Sequence, residues 1–287
     1  MRPQVLASAL LSAARAQSIS ACPTTRTTTA AALRTTFATC PITTSRLFST
    51  SPPHSSLVRP QAETTTSKQE IPIPTPSAPA TMSTPISANS VLELIKARRS
   101  YYQLTKDLPI PASRVDEIVK EALLHVPSSF NSQSNRIVVL YGADHDKLWD
   151  ITSEILKPYV TDEAAWASTE KRMAGFRGGA GTVLFFDDQE TVFEYQKNVP
   201  LYKDKFPAWA TQSDAMLQFA CWTALEAEGL GANLQHYNPL IDERVAKEWG
   251  VPTTWQLNAQ LVFGGRAGEP GPKTFKPVEE RFKSFGA

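Results

Sequence analysis

Residues 1–81 of this 287-residue chain contain no Trp and no Tyr, whereas all six Trp lie from Trp149 onward. The opening stretch is built mainly from Ala, Ser, Thr and Pro. It offers too little apolar surface to offset the conformational entropy of a folded chain. The fold must therefore come from the remaining residues, roughly 200 of them, ample for one α/β-type core. The expected division is a disordered leader over residues 1–81 and one domain over residues 82–287.

The leader carries Arg2, Arg15, Arg26, Arg34, Arg46 and Arg59, and its first acidic residue is Glu63. An Arg-rich, Ser-rich amino terminus without early acids has the composition of a mitochondrial transit peptide, and Arg46 precedes a stretch, 47–51, that resembles matrix-peptidase sites. Matrix delivery is the expectation. The alternatives are a low-complexity tail, a wrongly included upstream frame, or a cytoplasmic product starting at Met82. A secretory signal fits less well, because the run 5–14 is short, weakly apolar and broken by Ser8 and Ser12.

Beyond residue 81 there are 22 basic and 26 acidic residues, so the domain carries −4 against +5 for the leader. A mildly acidic domain without a Lys/Arg stripe argues against nucleic acid as a partner. No apolar run approaches the ~20 residues needed to span a bilayer, so no membrane role is expected. Only Cys221 of the three cysteines lies outside the leader, which leaves no intrachain disulfide in a processed product and fits a reducing compartment.

Along the domain, Ser90 or Asn89 can cap a helix with Val91, Leu92, Leu94 and Ile95 on one stripe, running into Arg98-Arg99-Ser100. Ser113-Arg114-Val115-Asp116 reads as a capping box opening a second helix, which stops at Pro127. The β-branched run 136–141 reads as a buried strand. Asp144 is expected to cap a helix through Lys157, followed by a polar helix over 161–176, a glycine turn over 177–181 and a strand over 182–186. A long helix over 211–228 shows Met216, Phe219, Ala220, Thr223, Ala224 and Ala227 at helical spacing. A strand over 233–236, a helix over 241–249 and a strand over 256–263 complete the pattern. The glycine-rich stretch 264–272 is expected to be an irregular arm leading to Lys273.

Two polar constellations stand out. Arg98-Arg99-Ser100 offers paired guanidinium forks and a hydroxyl, the donor set that matches phosphate oxygens, although a solvated helix end would look the same. Pro127-Ser128-Ser129-Phe130-Asn131-Ser132-Gln133 offers hydroxyls and amides able to read the mixed edge of a heterocycle, although Pro-Ser-Ser alone is also a common turn. No metal-ligand cluster and no nucleophile elbow is present. Cys221 could pair with His236 as a nucleophile, but its small-residue helix suits a buried small hydrophobe better. With no evident acid, base or nucleophile set, the chemistry falls to a bound cofactor.

The order of these motifs resembles the FMN-dependent nitroreductase family, with Arg98-Arg99-Ser100 ending the first helix and Pro-Ser-Ser-aromatic-Asn-x-Gln following the second. The stretches 228–238 and 273–280 look like the fungal and bacterial branch of that family. The resemblance spans about residues 88–287. It implies an α+β fold, an α-β-α sandwich with a mixed, largely antiparallel sheet flanked by helices, in an intertwined homodimer holding two FMN. It places Arg98, Arg99 and Ser100 on the phosphate and ribityl chain, and Pro127, Ser128, Ser129, Asn131 and Gln133 along the flavin, usually from the partner subunit. Backbone around Gly231, Ala232 and Asn233, with Leu234 and Gln235, would approach the other side of the ring. Gln235 and His236 would also read as a satisfied polar pair at a strand end. Lys273 matches a basic residue on the phosphate. Phe275 stands where many relatives carry Arg, with Lys276 as a candidate substitute, and Tyr102 replaces a common basic residue. Phe130, Phe193, Tyr195, Tyr202, Phe206 and Trp209 read as core, in a region relatives use to cover the flavin.

The implied function is an NAD(P)H-dependent oxidoreductase working by a ping-pong mechanism. NADH or NADPH is the electron donor, and nitroaromatics, quinones or similar small molecules are the acceptors, with an oxidative stress response as setting. The rival is a flavin-bearing regulator of redox or lipid-stress signalling in which turnover is incidental.

Overall fold

A computed structural model describes residues 86–287. The expected leader, its presequence character and the Met82 start lie outside the described residues.

The sheet is organised around strand β3 (Gly181–Asp188), buried along its whole length. It pairs with β2 (Asn135–Tyr141) on one side and β5 (Trp255–Arg266) on the other. The far edge of β5 carries β4 (Gly231–Gln235), and its end pairs with β1 (Leu104–Thr105). Each of these pairings is antiparallel. Alternation along β3 explains the layering: Val183 and Phe185 enter one core, and Leu184 and Phe186 the other. The first core is closed by helices α2 (Ala112–His125) and α6 (Phe206–Ala227) through Val115, Ile118, Leu217, Cys221 and Leu225. The second is closed by α3 (Gly142–Leu156), α4 (Glu163–Arg177) and α7 (Asp242–Trp249) through Leu148, Trp149, Met173, Phe176 and Val245. This is the expected α+β sandwich.

Several local expectations change. Helix α1 (Ala88–Ala97) is capped by Ser87, whose hydroxyl accepts from the Asn89 amide at 3.2 Å, rather than by Asn89 or Ser90. Its stripe of Val91, Leu92, Leu94 and Ile95 is exposed on this chain. The capping box does not form at α2: Pro111 holds the cap position with no side-chain bond, and Asp116 instead accepts from the Tyr141 hydroxyl at 2.8 Å. Asp144 lies inside the first turn of α3 and accepts from Trp249 Nε1 at 3.0 Å, a tertiary bond that competes with capping.

Helix α6 starts five residues earlier than expected and turns a different face to the sheet. Ala210, Asp214, Leu217, Cys221 and Leu225 are buried, whereas Met216 and Phe219 stay more than 40% exposed. The buried face is offset from the expected one by about one residue, or ~100° around the helix. Helix α5 (Gln189–Asn198), capped by Asp188, was not expected at all.

The glycines after Phe263 do not end the last strand. A Cβ on Gly264 would lie 2.3 Å from the Thr105 carbonyl oxygen, and one on Gly265 would lie 2.3 Å from that of Asp107. These glycines are what lets β1 and the following chain cross so close to β5, and β5 runs on to Arg266. A bulge between Phe185 and Phe186 leaves Asn258 unpaired on β5, so that Leu257 and Ala259 enter opposite cores.

Candidate functional site

The end of α1 delivers the arginine pair. The Arg98 amide closes the helix on the Leu94 carbonyl at 3.0 Å, and the chain then turns extended. Arg98, Arg99, Ser100 and Tyr102 line a cleft of about 320 Å³ together with Gly271, Pro272 and Lys273 from the C-terminal arm. The Arg99 guanidinium bonds the Gly271 carbonyl, which ties the arm to the arginines across more than 170 residues of sequence. Lys273 Nζ lies 5.2 Å from the Phe275 ring. Lys276 does not line the cleft, and its carbonyl accepts from Arg281 at 3.2 Å. Two guanidiniums, a hydroxyl and an ammonium around one small cleft fit a phosphate dianion.

Three side chains that sequence reasoning did not single out support this cleft. Trp222 lies beneath the Arg98 guanidinium, 4.4 Å from carbon to ring centroid. Glu226 accepts from the Arg99 amide at 2.8 Å and from Trp222 Nε1 at 2.7 Å. Arg266 donates to the carbonyls of Leu230 and Glu226, both at 3.0 Å, and covers the Tyr101 ring at 4.5 Å. Burial pushes the Glu226 carboxyl up, opposed by the Arg99 amide, Trp222, Arg266 and Arg98. Nothing local in the sequence marks the contact between Glu226 and Arg99, which joins residues 127 positions apart.

The second constellation sits elsewhere. Phe130, Asn131 and Gln133 have φ of 58°, 51° and 49°. Left-handed backbone at non-glycine residues costs on the order of 1–3 kcal/mol each and clusters at ligand sites. The Ser128 hydroxyl holds the turn by accepting from the Gln133 amide at 2.9 Å. The half-exposed Phe130 ring packs on Phe206, Trp209 and Tyr202 at 5.5, 5.9 and 6.1 Å. Of the aromatics expected as core, Phe206 is buried, but Phe193 and Tyr202 are exposed. Pro127, Ser129 and Asn131 lie on the same surface turn.

Behind this turn, Asn258 Nδ2 donates to Asp187 at 2.9 Å and to Asp214 at 3.1 Å, and Gln218 adds a 2.6 Å bond to Asp214. Burial raises Asp187 to about 7, with the Asp214 charge adding to it and Asn258 opposing. The same burial raises Asp214.

On β4, Asn233 Nδ2 donates to the Tyr101 carbonyl at 2.7 Å, and Gln235 Nε2 donates to Asn233 Oδ1 at 2.8 Å. Gln235 thus finds a polar partner at the strand end in Asn233, while Leu234 packs against the α2/α6 core. Cys221 is fully buried and its thiol is pushed up to about 12 by burial, which makes it a poor nucleophile. Among the described residues no group of His, Cys, Asp and Glu is arranged to hold a metal ion. None of the described helices is long and apolar enough to cross a membrane.

One chain keeps the two constellations apart. Arg99 is held at Glu226 and Phe130 at Trp209, 17 residues apart on α6, or about 25 Å along its axis.

A model of the nitroreductase family matches residues 95–265. The Saccharomyces cerevisiae protein HBN1 is 37% identical over 188 residues, covering 64% of this chain and 92% of that protein. Among solved structures, nitroreductase CinD from Lactococcus lactis in complex with chloramphenicol is similar at 41% identity and a TM-score of 0.63, covering 68% of this chain and all of CinD. A nitroreductase with bound FMN from Desulfitobacterium hafniense shares the fold at 16% identity and a TM-score of 0.53, over 70% of this chain and all of that one.

Proposed function

The chain belongs to the nitroreductase family, and from that premise we propose that it is an FMN-dependent oxidoreductase using NADH or NADPH to reduce nitroaromatics, quinones or related small molecules. The observation that carries this reading is the cleft where Arg98, Arg99, Ser100 and Tyr102 meet Lys273. FMN, when bound, supplies the two-electron chemistry, with donor and acceptor using the same place in turn.

The protein's part is grip and placement. Arg98, Arg99 and Lys273 offset the phosphate charge, and Ser100 adds a short donor. Ser129, Asn131 and Gln133 present hydroxyl and amide groups on a turn already held in left-handed backbone, so little ordering is left for binding to impose. The exposed aromatics Phe130 and Tyr202, packed on one another, offer flat apolar faces at that turn, suited to excluding water and stacking on an aromatic acceptor.

The site is completed by a second copy of the chain. The separation of the two constellations along α6 suits motifs that serve two different cofactors of a symmetric pair. The exposed apolar side chains Val91, Leu92 and Leu94 on α1, Met216 and Phe219 on α6, and Phe275, Phe282 and Phe285 on the arm are surface that a second copy could cover. Protein produced from Met82 should purify yellow and dimeric, with one FMN per chain, and should oxidise NADH or NADPH when a nitroaromatic or quinone is added. A colourless protein that takes up no FMN on titration would rule the proposal out.

A further inference from the structure

Glu226 stands in an expensive place. It is 7% exposed, and it lies in the last turn of α6, where the helix dipole disfavours an anion. Its carboxylate nonetheless accepts two bonds, Oε2 from the Arg99 amide at 2.8 Å and Oε1 from Trp222 Nε1 at 2.7 Å. The indole it fixes lies 4.4 Å under the Arg98 guanidinium. Its own carbonyl is bound by Arg266 at 3.0 Å, and that guanidinium covers Tyr101, one residue beyond the Arg98-Arg99-Ser100 run. One buried carboxylate therefore reaches the backbone of one arginine directly and the guanidinium of the other through a tryptophan.

We propose that Glu226 is a positioning residue for flavin phosphate binding, holding Arg98 and Arg99 in their gripping arrangement before the ligand arrives. This rests on the FMN reading above and adds to it a residue outside the cleft lining. Because both partners of the carboxylate are N–H donors, an amide in its place can satisfy only one and sets a donor against the other. Ordering of the arginine pair then has to occur on binding, and the loss falls on the phosphate end alone.

The test compares FMN with riboflavin, which carries the same ring without the phosphate. Dissociation constants for both are measured by flavin fluorescence on the parent protein and on Glu226→Gln. The expected result is FMN affinity about 10- to 100-fold weaker, corresponding to loss of a hydrogen bond to a charged group. Riboflavin affinity should change less than about twofold on the same reasoning, so the ratio between the two ligands collapses. Trp222→Phe keeps a ring beneath Arg98 but removes the donor to Glu226. It should move the ratio in the same direction by less, and it serves as the readout if Glu226→Gln does not fold. An unchanged ratio, whether both affinities fall together or neither falls, overturns the positioning role. A parent protein that binds neither flavin overturns the FMN reading and this inference with it.

Discussion

Replacing Asp187 by Asn should change how stability depends on pH. Asp187 is 2% exposed and its carboxyl is held at about 7 instead of 3.8, first by burial and then by the Asp214 charge. Between those values the folded chain binds a proton that the unfolded chain releases, so the group's contribution falls as pH rises through the window. At ~1.4 kcal/mol per pH unit, the full loss approaches about 4 kcal/mol by pH 8. Asn cannot ionise, so the stability of Asp187→Asn relative to the parent should climb by about that amount between pH 4 and 8.

His145 works with the opposite sign. It is fully buried with Nδ1 2.9 Å from Thr182 Oγ1, and burial pushes it from 6.5 down to about 4. There the unfolded chain binds the extra proton, so this contribution rises with pH and is lost below about 6.5, by about 3 kcal/mol at pH 4. His145→Gln should therefore lose ground to the parent as pH rises from 4 to 6.5. Asp214 is raised by burial and acts with the sign of Asp187, which is why each variant is read against the parent. Urea denaturation at half-unit pH steps gives the curves. Parallel curves for Asp187→Asn and the parent would refute the reasoning.

Three further outcomes are expected. Arg98→Ala should weaken FMN by about 1.5–3 kcal/mol in a fluorescence titration, as for loss of a charge-assisted phosphate bond, and an unchanged affinity would leave Arg98 only its stacking on Trp222. Lys273→Ala should weaken FMN about two- to fivefold at low ionic strength, with the deficit shrinking in high salt, because its ammonium is exposed. Lys276→Ala should have little effect, since Lys276 stands outside the cleft; a larger effect than that of Lys273 would show that the arm moves on binding. Gly264→Ala should destabilise the fold by about 2–3 kcal/mol or more, read as a lowered Tm, because its Cβ would meet the Thr105 carbonyl at 2.3 Å.

The sandwich was legible because 137–141 and 183–186 are continuous apolar runs that suit a sheet covered on both faces, and 256–263 places Leu257, Ala259 and Leu261 at every second position before Val262 and Phe263. The glycines that let β5 continue were misread as a stop, since what makes Gly264 and Gly265 tolerable is a neighbouring chain that local sequence does not show. The face of α6 was misplaced for a related reason: Met216 and Phe219 carry a core-like pattern but point away from this chain's own sheet. That Arg98, Arg99, Ser100, Tyr102 and Lys273 belong together was legible from donor chemistry and motif order, and the fold brings them to one cleft. Glu226, Trp222 and Asn258 were not, because each acts through a partner that only the tertiary fold brings near.

The central claim is that each FMN lies between two copies, gripped at the phosphate by one and along the ring by the other. Two FMN-deficient variants, Arg98→Ala/Arg99→Ala and Asn131→Ala/Gln133→Ala, carrying different tags, can be mixed and the mixed pair isolated through both tags. In that pair one site has both motifs intact and the other has both damaged, so the expected result is recovery of one tightly bound FMN per pair. If the mixed pair binds FMN no better than either variant alone, the motifs do not combine across two chains, and the shared site is contradicted.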